Sequence, residues 1–386
     1  MVNPSVRIEI SRNPGVMDRI SREYQSLQGR AEWINPYFSP EWLRAWWARQ
    51  KQDRAPLFLL ALAEDDSLLG YWPFMERPGL LGSKGLWPFV YDEANYHFPT
   101  CQKQVATLLV EELSRQVGSF LFAWLPQLPE TFWNDHVQGL VGNCAHLKIL
   151  RSSRSSCLVR PQPGLSFAEF WQDKMGQKSR KSFQYDERSL AERGAVTFEI
   201  NQSFEDVRSV MPATCVVEVE SHKTLENAGL YTIRGKRGFF FEVLPELARS
   251  SGVRISVLRV EEQPVAWQLE LLCPGHSYLH HLAYDQNWKK YSPGKQLLKH
   301  CMEKCWDEER VLDFLPAPFA YKQDYANATQ PAHEVHWIKR SFRGLLARKL
   351  ICWNMKWRQK MRERSPGLAA TVARQEITKA NCGFSK

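Results

Sequence analysis

Two passages of the chain, 196 residues apart, share one hydrophobic pattern. LALAEDDSLLGYWPF at 60–74 and VLRVEEQPVAWQLEL at 257–271 each run from an apolar strand through an acidic turn into a second apolar strand, with Gly70 aligned to Ala266. Around the first copy, the pattern predicts a helical run at 41–47, strands at 57–63 and 68–75, a Gly/Pro-rich passage at 78–99, an amphipathic helix at 102–117 and a buried strand at 120–125. Around the second copy it predicts helices at 166–175 and 180–193, a strand at 196–200, and helices within 204–221 and 236–250. Strands at 254–260, 264–273 and 277–284 follow, then a helix at 294–308, a strand at 310–315, a short helix from 319 and a strand at 333–339. Hairpin-linked strands followed by helix and strand specify an α/β fold of the α+β kind, a mixed sheet with helices on its faces. The polar cluster 151–156, RSSRSS, reads as a turn and sets the expected boundary between domains at 1–155 and 156–342, with a tail at 343–386.

Length and composition keep this within ordinary globular territory. With 386 residues the chain has room for two cores, and 44% hydrophobic against 24% charged residues is typical of a soluble protein. The net charge of +9 is local. Residues 343–386 carry eleven Lys/Arg against two Asp/Glu, and the preceding 342 carry forty of each sign. A neutral body argues against a broad nucleic-acid groove. The nine cysteines include no Cys-x-x-Cys pair, and Cys301 and Cys305 fall four apart on a predicted helix, which is a packing spacing; no metal site is expected. No apolar run reaches signal-peptide or membrane-span character, so a cytoplasmic protein is expected, with peripheral membrane contact through the tail as a further expectation. In that tail Leu346, Leu350, Trp353 and Trp357 recur three or four apart among basic residues, the pattern of a basic amphipathic helix suited either to anionic lipid or to docking on its own domain.

Candidate chemistry starts at 289–295. Lys289, Lys290, Ser292, Pro293, Gly294 and Lys295 stand where a helix begins. Helix starts leave backbone N–H groups unpaired and carry partial positive charge, so a basic loop of small residues there suits a diphosphate. Pro293 loses nothing at such a position.

The order of elements and the spacing Lys289-x-x-Ser292-x-Gly294-x-x-Leu297-Leu298 resemble the GNAT acyltransferases, whose loop at this point holds the diphosphate of coenzyme A. Lys178-Ser179-Arg180-Lys181, Glu220-Ser221-His222-Lys223, Ser292-Pro293-Gly294, and Asp313-Phe314 leading to Tyr321-Lys322 are similar to the CelD/BcsL-type acetyltransferases linked to cellulose and exopolysaccharide production. The likeness covers about 165–325 and extends to the first half only in pattern, as in the Fem aminoacyl transferases, where two GNAT-like halves pair. The first half has His97-Phe98-Pro99-Thr100 where the loop belongs, so one cofactor site is expected, in the second of two tandem GNAT-like domains. The resemblance implies acetyl-CoA or another acyl-CoA as co-substrate.

Acyl transfer to an amine needs a base, an oxyanion donor and an acid for the leaving thiolate. The resemblance gives Tyr321 the acid's place. His280 and His281 are adjacent on a strand and expected on opposite faces; one faces the cleft as base, and His281 is the candidate. Glu220 joins it as a candidate catalytic carboxylate, and Glu218, His222, Lys223 and Lys322 as groups for an amine or sugar hydroxyl. Asp313, on an otherwise apolar strand, is costly to bury without a partner, which makes it a further catalytic candidate or the partner of Lys322. The expected function is transfer of an acyl group, foremost acetyl, to an amine or hydroxyl of a sugar or cell-envelope precursor. Alternatives are aminoacyl transfer from a charged tRNA and an inactive scaffold in a polysaccharide-synthesis complex.

Overall fold

The computed structural model describes residues 6–50, 54–78, 83–90, 93–141, 147–225, 228–233, 236–316 and 321–364. The chain forms two compact units, 1–154 with 331–386, and 155–330. The sheets are mixed and the class is α/β.

Unit 1 opens with β1 (Arg7–Ser11), α1 (Val16–Gln28) and α2 (Pro40–Trp47), then β2 (Ala55–Leu62), β3 (Leu68–Pro78), β4 (Lys84–Pro88) and β5 (Thr100–Cys101). α3 (Lys103–Val117), β6 (Phe122–Pro129), and the short helices α4 (Glu130–Phe132) and α5 (Gln138–Val141) follow. β2 and β3 form the predicted hairpin, with Ala61 opposite Gly70. Ser39 begins α2 by accepting from the Trp42 amide, with Pro40 just inside the helix. The core is aromatic: Phe38, Trp72 and Phe74 surround His97 with ring centroids 5.1–6.1 Å away.

β7 (Leu147–Val159) carries the chain into unit 2. The cluster 151–156 is therefore strand, not turn. Its residues alternate in exposure up to Ser156, so Ser and Arg occupy the open face of an extended segment. Unit 2 continues with α6 (Phe167–Lys174), α7 (Gln177–Ala191), β8 (Val196–Asn201), α8 (Phe204–Val219), α9 (His222–Leu225), α10 (Lys236–Arg249), β9 (Val253–Val260), β10 (Gln263–Cys273) and β11 (His276–Tyr284). α11 (Pro293–Asp307), β12 (Val311–Asp313) and α12 (Tyr321–Tyr325) complete it. Its sheet runs β8-β9-β10-β11-β12, with Leu158 and Val159 of β7 beside β12. α11 covers one face: Leu297 and Cys301 pack with Leu258, Val260 and Ala266, and Leu298, Met302 and Cys305 with Leu279, Leu312 and Phe314. α8 and α10 cover the other. A capping box between Ser166 and Glu169 starts α6, and Ser203 caps α8.

β13 (Ala328–Lys339) returns the chain to unit 1, where 332–338 pair antiparallel with β6. That pairing puts 331–342 with the first unit, where patterning had assigned them to the second domain. α13 (Phe342–Arg364) ends the described chain. No helix among the described residues is long and apolar enough to cross a membrane.

Candidate active site

The site grows out of an irregularity in β11. Along β10, Leu269 faces His281 but Glu270 faces Leu279, so His280 is an extra residue, a β-bulge. A bulge resets the alternation of side chains. The expectation that His280 and His281 point to opposite faces fails for this reason: His280 lies 5.8 Å from Phe240 of α10, and His281 reaches Glu218 of α8, both on the same side of the sheet. On its other edge β11 pairs with β12 only through residues 276–278, while β11 continues to Tyr284. The two parallel strands therefore pair for three residues and part just before the histidines.

Glu218, the penultimate residue of α8, is fully buried. Its carboxylate accepts from His281 Nε2 at 2.9 Å, from the indole Nε1 of Trp267 at 3.2 Å and from the Leu230 amide. Its carbonyl accepts from Ser221 Oγ at 2.9 Å and Thr224 Oγ1 at 2.6 Å, which fixes the end of the helix. Burial alone raises this carboxyl's pKa. The charge and hydrogen bond of His281, the Leu230 amide and Lys223 outweigh burial and hold it below its ordinary value. Glu218 is an ionised carboxylate in the interior; when His281 is neutral and its Nε2–H donates to Glu218, Nδ1 is its basic nitrogen. Tyr231 stacks on Trp267 at 5.5 Å, and Trp267 lies 5.0 Å from the His281 ring, forming an aromatic wall.

Patterning had set Glu218 apart as a substrate group and Glu220 as catalytic. Glu220 caps α8, its side chain is exposed, and its carbonyl accepts from the Gln286 amide at 3.1 Å. His222 and Lys223 begin α9; the His222 ring lies 5.6 Å from Tyr284, and Nδ1 is 3.4 Å from Gln286 Nε2. Lys223 lies close enough to act electrostatically on both Glu218 and Lys322.

At the end of β12, Asp313 accepts from Ser156 Oγ and, at 2.7 Å, from the Leu315 amide. Leu315 takes a left-handed conformation, φ 61°, and Lys322 Nζ donates to the Phe314 and Leu315 carbonyls. Desolvation pushes Lys322 down to about 8, against the pull of Asp313. Tyr321 heads α12 with 40% of its surface exposed, and the protein around its hydroxyl raises it to about 12, so it stays protonated at neutral pH.

The expected phosphate loop is a 3-10 turn, Gln286–Tyr291, running into α11. Lys289, Lys290 and Lys295 are exposed, and Lys290 Nζ sits 4.8 Å over the Tyr291 ring. Ser292 is left-handed at φ 51°, Pro293 opens the helix, and Ser292 O accepts from the Lys295 and Gln296 amides. A Cβ on Gly294 would stand 2.9 Å from the Tyr284 ring, so this glycine is explained by close packing on β11. Arg180 is held at the α6–α7 junction, donating to Met175 O at 2.6 Å.

Sequence reading missed Trp267, Leu230 and Gly229. A Cβ on Gly229 would fall 2.5 Å from Glu218 Oε1, so glycine lets the backbone approach the carboxylate. The lone signal was a glycine close to the singled-out segment 218–223. Among the described residues no group of three or more His, Cys, Asp or Glu could hold a metal ion.

Residues 177–323 match the model of the acetyltransferase (GNAT) domain family, and that segment contains every site residue named from 218 to 322. No curated protein matches the chain. Among solved structures the chain is similar to FemX, with a TM-score of 0.55 and 8% identity over 86% of this chain and 97% of that one. It is also similar to L-PGS from Bacillus licheniformis, with a TM-score of 0.48 and 13% identity over 88% and 97%. A tandem GNAT protein from the clavulanic acid biosynthesis pathway gives 0.39 and 8% over 87% and 100%. The likeness to FemX is one of fold.

Proposed function

We propose that this chain transfers an acyl group, foremost acetyl, from coenzyme A to an amine or hydroxyl of a sugar or cell-envelope precursor, as the CelD/BcsL-type resemblance implies. The observation that carries the reading is the buried Glu218–His281 pair at the point where β11 and β12 part. In this reading Nδ1 of His281 takes the proton of the acceptor. Glu218 holds the ring in that tautomer and balances the imidazolium. The acceptor's nitrogen or oxygen forms a bond to the acyl carbon, the carbon–sulfur bond breaks, and Tyr321 protonates the departing thiolate. Lys289 and Lys290 lie on the turn, and Lys295 at the start of α11, where the diphosphate would rest. His222, Lys223 and Lys322 border the acceptor's side, and Asp313 positions Lys322.

Calorimetry with acetyl-CoA tests the donor. The wild type is expected to bind, and Lys289→Glu with Lys290→Glu to weaken binding about tenfold, because two phosphate-facing charges reverse. Wild-type protein that ignores coenzyme A but forms product from a charged tRNA would move the function to aminoacyl transfer. Protein active with neither, against a panel of amino sugars, would leave the scaffold reading.

A further inference from the structure

Among the described side chains of α13, apolar residues lie on two opposite sides of the helix. On one side α13 docks: Ala347 is fully buried with Leu121, Phe122, Trp124 and Ile338, and Ile351 packs against the same group. Gly344 belongs to this side, since a Cβ there would strike the Lys339 carbonyl at 1.9 Å. At 100° per residue, positions 344, 347 and 351 share one stripe. The stripe turned away from it holds Phe342, Leu345, Lys349 and Trp353. Phe342 is 77% exposed, Trp353 67% and Leu345 43%. Leu350, on the flank, is 46% exposed.

A helix at the surface of a water-soluble body normally presents polar residues on that outer stripe. Here the outer stripe carries two large aromatic rings and a leucine, with Arg343, Arg348 and Lys349 beside them. The sequence of the helix goes on to add Lys356, Arg358, Lys360, Arg362 and Arg364 against the single acid Glu363. Exposed aromatic and aliphatic side chains bordered by lysine and arginine are complementary to one surface above others: a bilayer with anionic headgroups, whose interface takes up the rings while its charge attracts the cations. A protein partner of acidic character could meet the charges, and a second copy of this chain could cover the rings. A second copy, however, would bring like charges together.

We infer that α13 is a membrane-surface helix, docked on unit 1 by Gly344, Ala347 and Ile351 and lying on anionic lipid through Phe342, Leu345 and Trp353. The inference is independent of the acyl-transfer reading and survives its failure.

The experiment is co-sedimentation of the full chain with vesicles of pure phosphatidylcholine and with vesicles of equal parts phosphatidylcholine and phosphatidylglycerol. Binding is expected only to the second, and it weakens as salt screens the charges. Phe342→Ser with Trp353→Ser is expected to lower vesicle affinity at least about tenfold. Both rings are exposed, so the thermal midpoint of this variant serves as the check that unit 1 is intact. Three results overturn the inference: no binding to anionic vesicles at low salt, undiminished binding by the intact double variant, or a wild-type dimer in sedimentation that the double variant converts to monomer without any vesicle binding. Failure of acetyl-CoA binding in the same preparation bears on unit 2 alone.

Discussion

The two units build the same strand arrangement to different ends, and the register shows where they diverge. In unit 1, Gly70 faces Cys101 and Tyr71 faces Thr100; in unit 2, Ala266 faces Tyr284 and Trp267 faces Ala283. These are equivalent positions at the same offset of 196. Farther along, Phe74 to Pro78 of β3 pair with β4, as Glu270 to Cys273 of β10 pair with the first half of β11. So β4 and β5 together correspond to β11. What is one strand with a single extra residue, His280, in unit 2 is broken in unit 1 between Pro88 and Thr100 by an excursion described at 89–90 and 93–99. That excursion brings His97 among Phe38, Trp72 and Phe74. Buried there, His97 is pushed down to about 3 by desolvation and is neutral at neutral pH. Unit 2 instead keeps an ionised carboxylate, Glu218, inside. The loops differ too: one residue, Gln102, separates β5 from α3, whereas 285–292 separate β11 from α11. Unit 1 has no length of chain there for a phosphate loop. A bulge leaves strand, edge and loop available for chemistry; a long excursion at the same place fills the space with aromatic core.

The sharpest way to break this contrast is to disable each unit's histidine in turn. Glu218→Gln keeps a hydrogen-bonding side chain but removes the charge that supports His281. It is expected to lower turnover about 10²–10⁴-fold with little change in acetyl-CoA affinity, read as thiol release. His97→Phe is expected to leave turnover within about twofold of wild type, because on this account the ring is core. Comparable losses in both variants would erase the distinction between the units.

Glycine substitutions come next. Gly229→Ala sets a methyl against Glu218 Oε1 and is expected to cost about tenfold or more in turnover by shifting the carboxylate. Gly70→Ala is expected to lower stability by about 1–3 kcal/mol, since its Cβ would lie 2.3 Å from that of Cys101, and to spare acetyl-CoA binding. Denaturant melts and calorimetry on both variants separate the two effects.

The smallest effect is electrostatic. Lys322 falls from the ordinary 10.5 to about 8 through desolvation. Between those values the unfolded chain holds a proton the folded chain has released, so stability rises with pH across that window through this residue. In ¹³C-methyl-labelled protein one lysine resonance should titrate near 8 and be missing from Lys322→Met. Should every lysine titrate above 10, the buried environment assigned to Lys322 is wrong.

Much of the framework was legible from patterning alone. The repeated hairpin, α3, α8, α10 and α11 follow from apolar periodicity, which acts within a few residues. The segment 151–156 was not legible, because Ser and Arg carry turn signals and only pairing with distant strands makes them extended. β1 and α1 also went unread, as did the division of β11's counterpart into β4 and β5. In the site, the sequence supplied the residue types: Glu218, His281, Asp313, Lys322 and the cations of 289–295. It could not reveal that Glu218 rather than Glu220 turns inward, that a bulge at His280 brings both histidines to one face, or that Gly229 and Trp267 complete the carboxylate's shell. Those facts depend on contacts between residues 10 to 60 or so positions apart, where burial selects one rotamer and one register, and no local pattern encodes that selection.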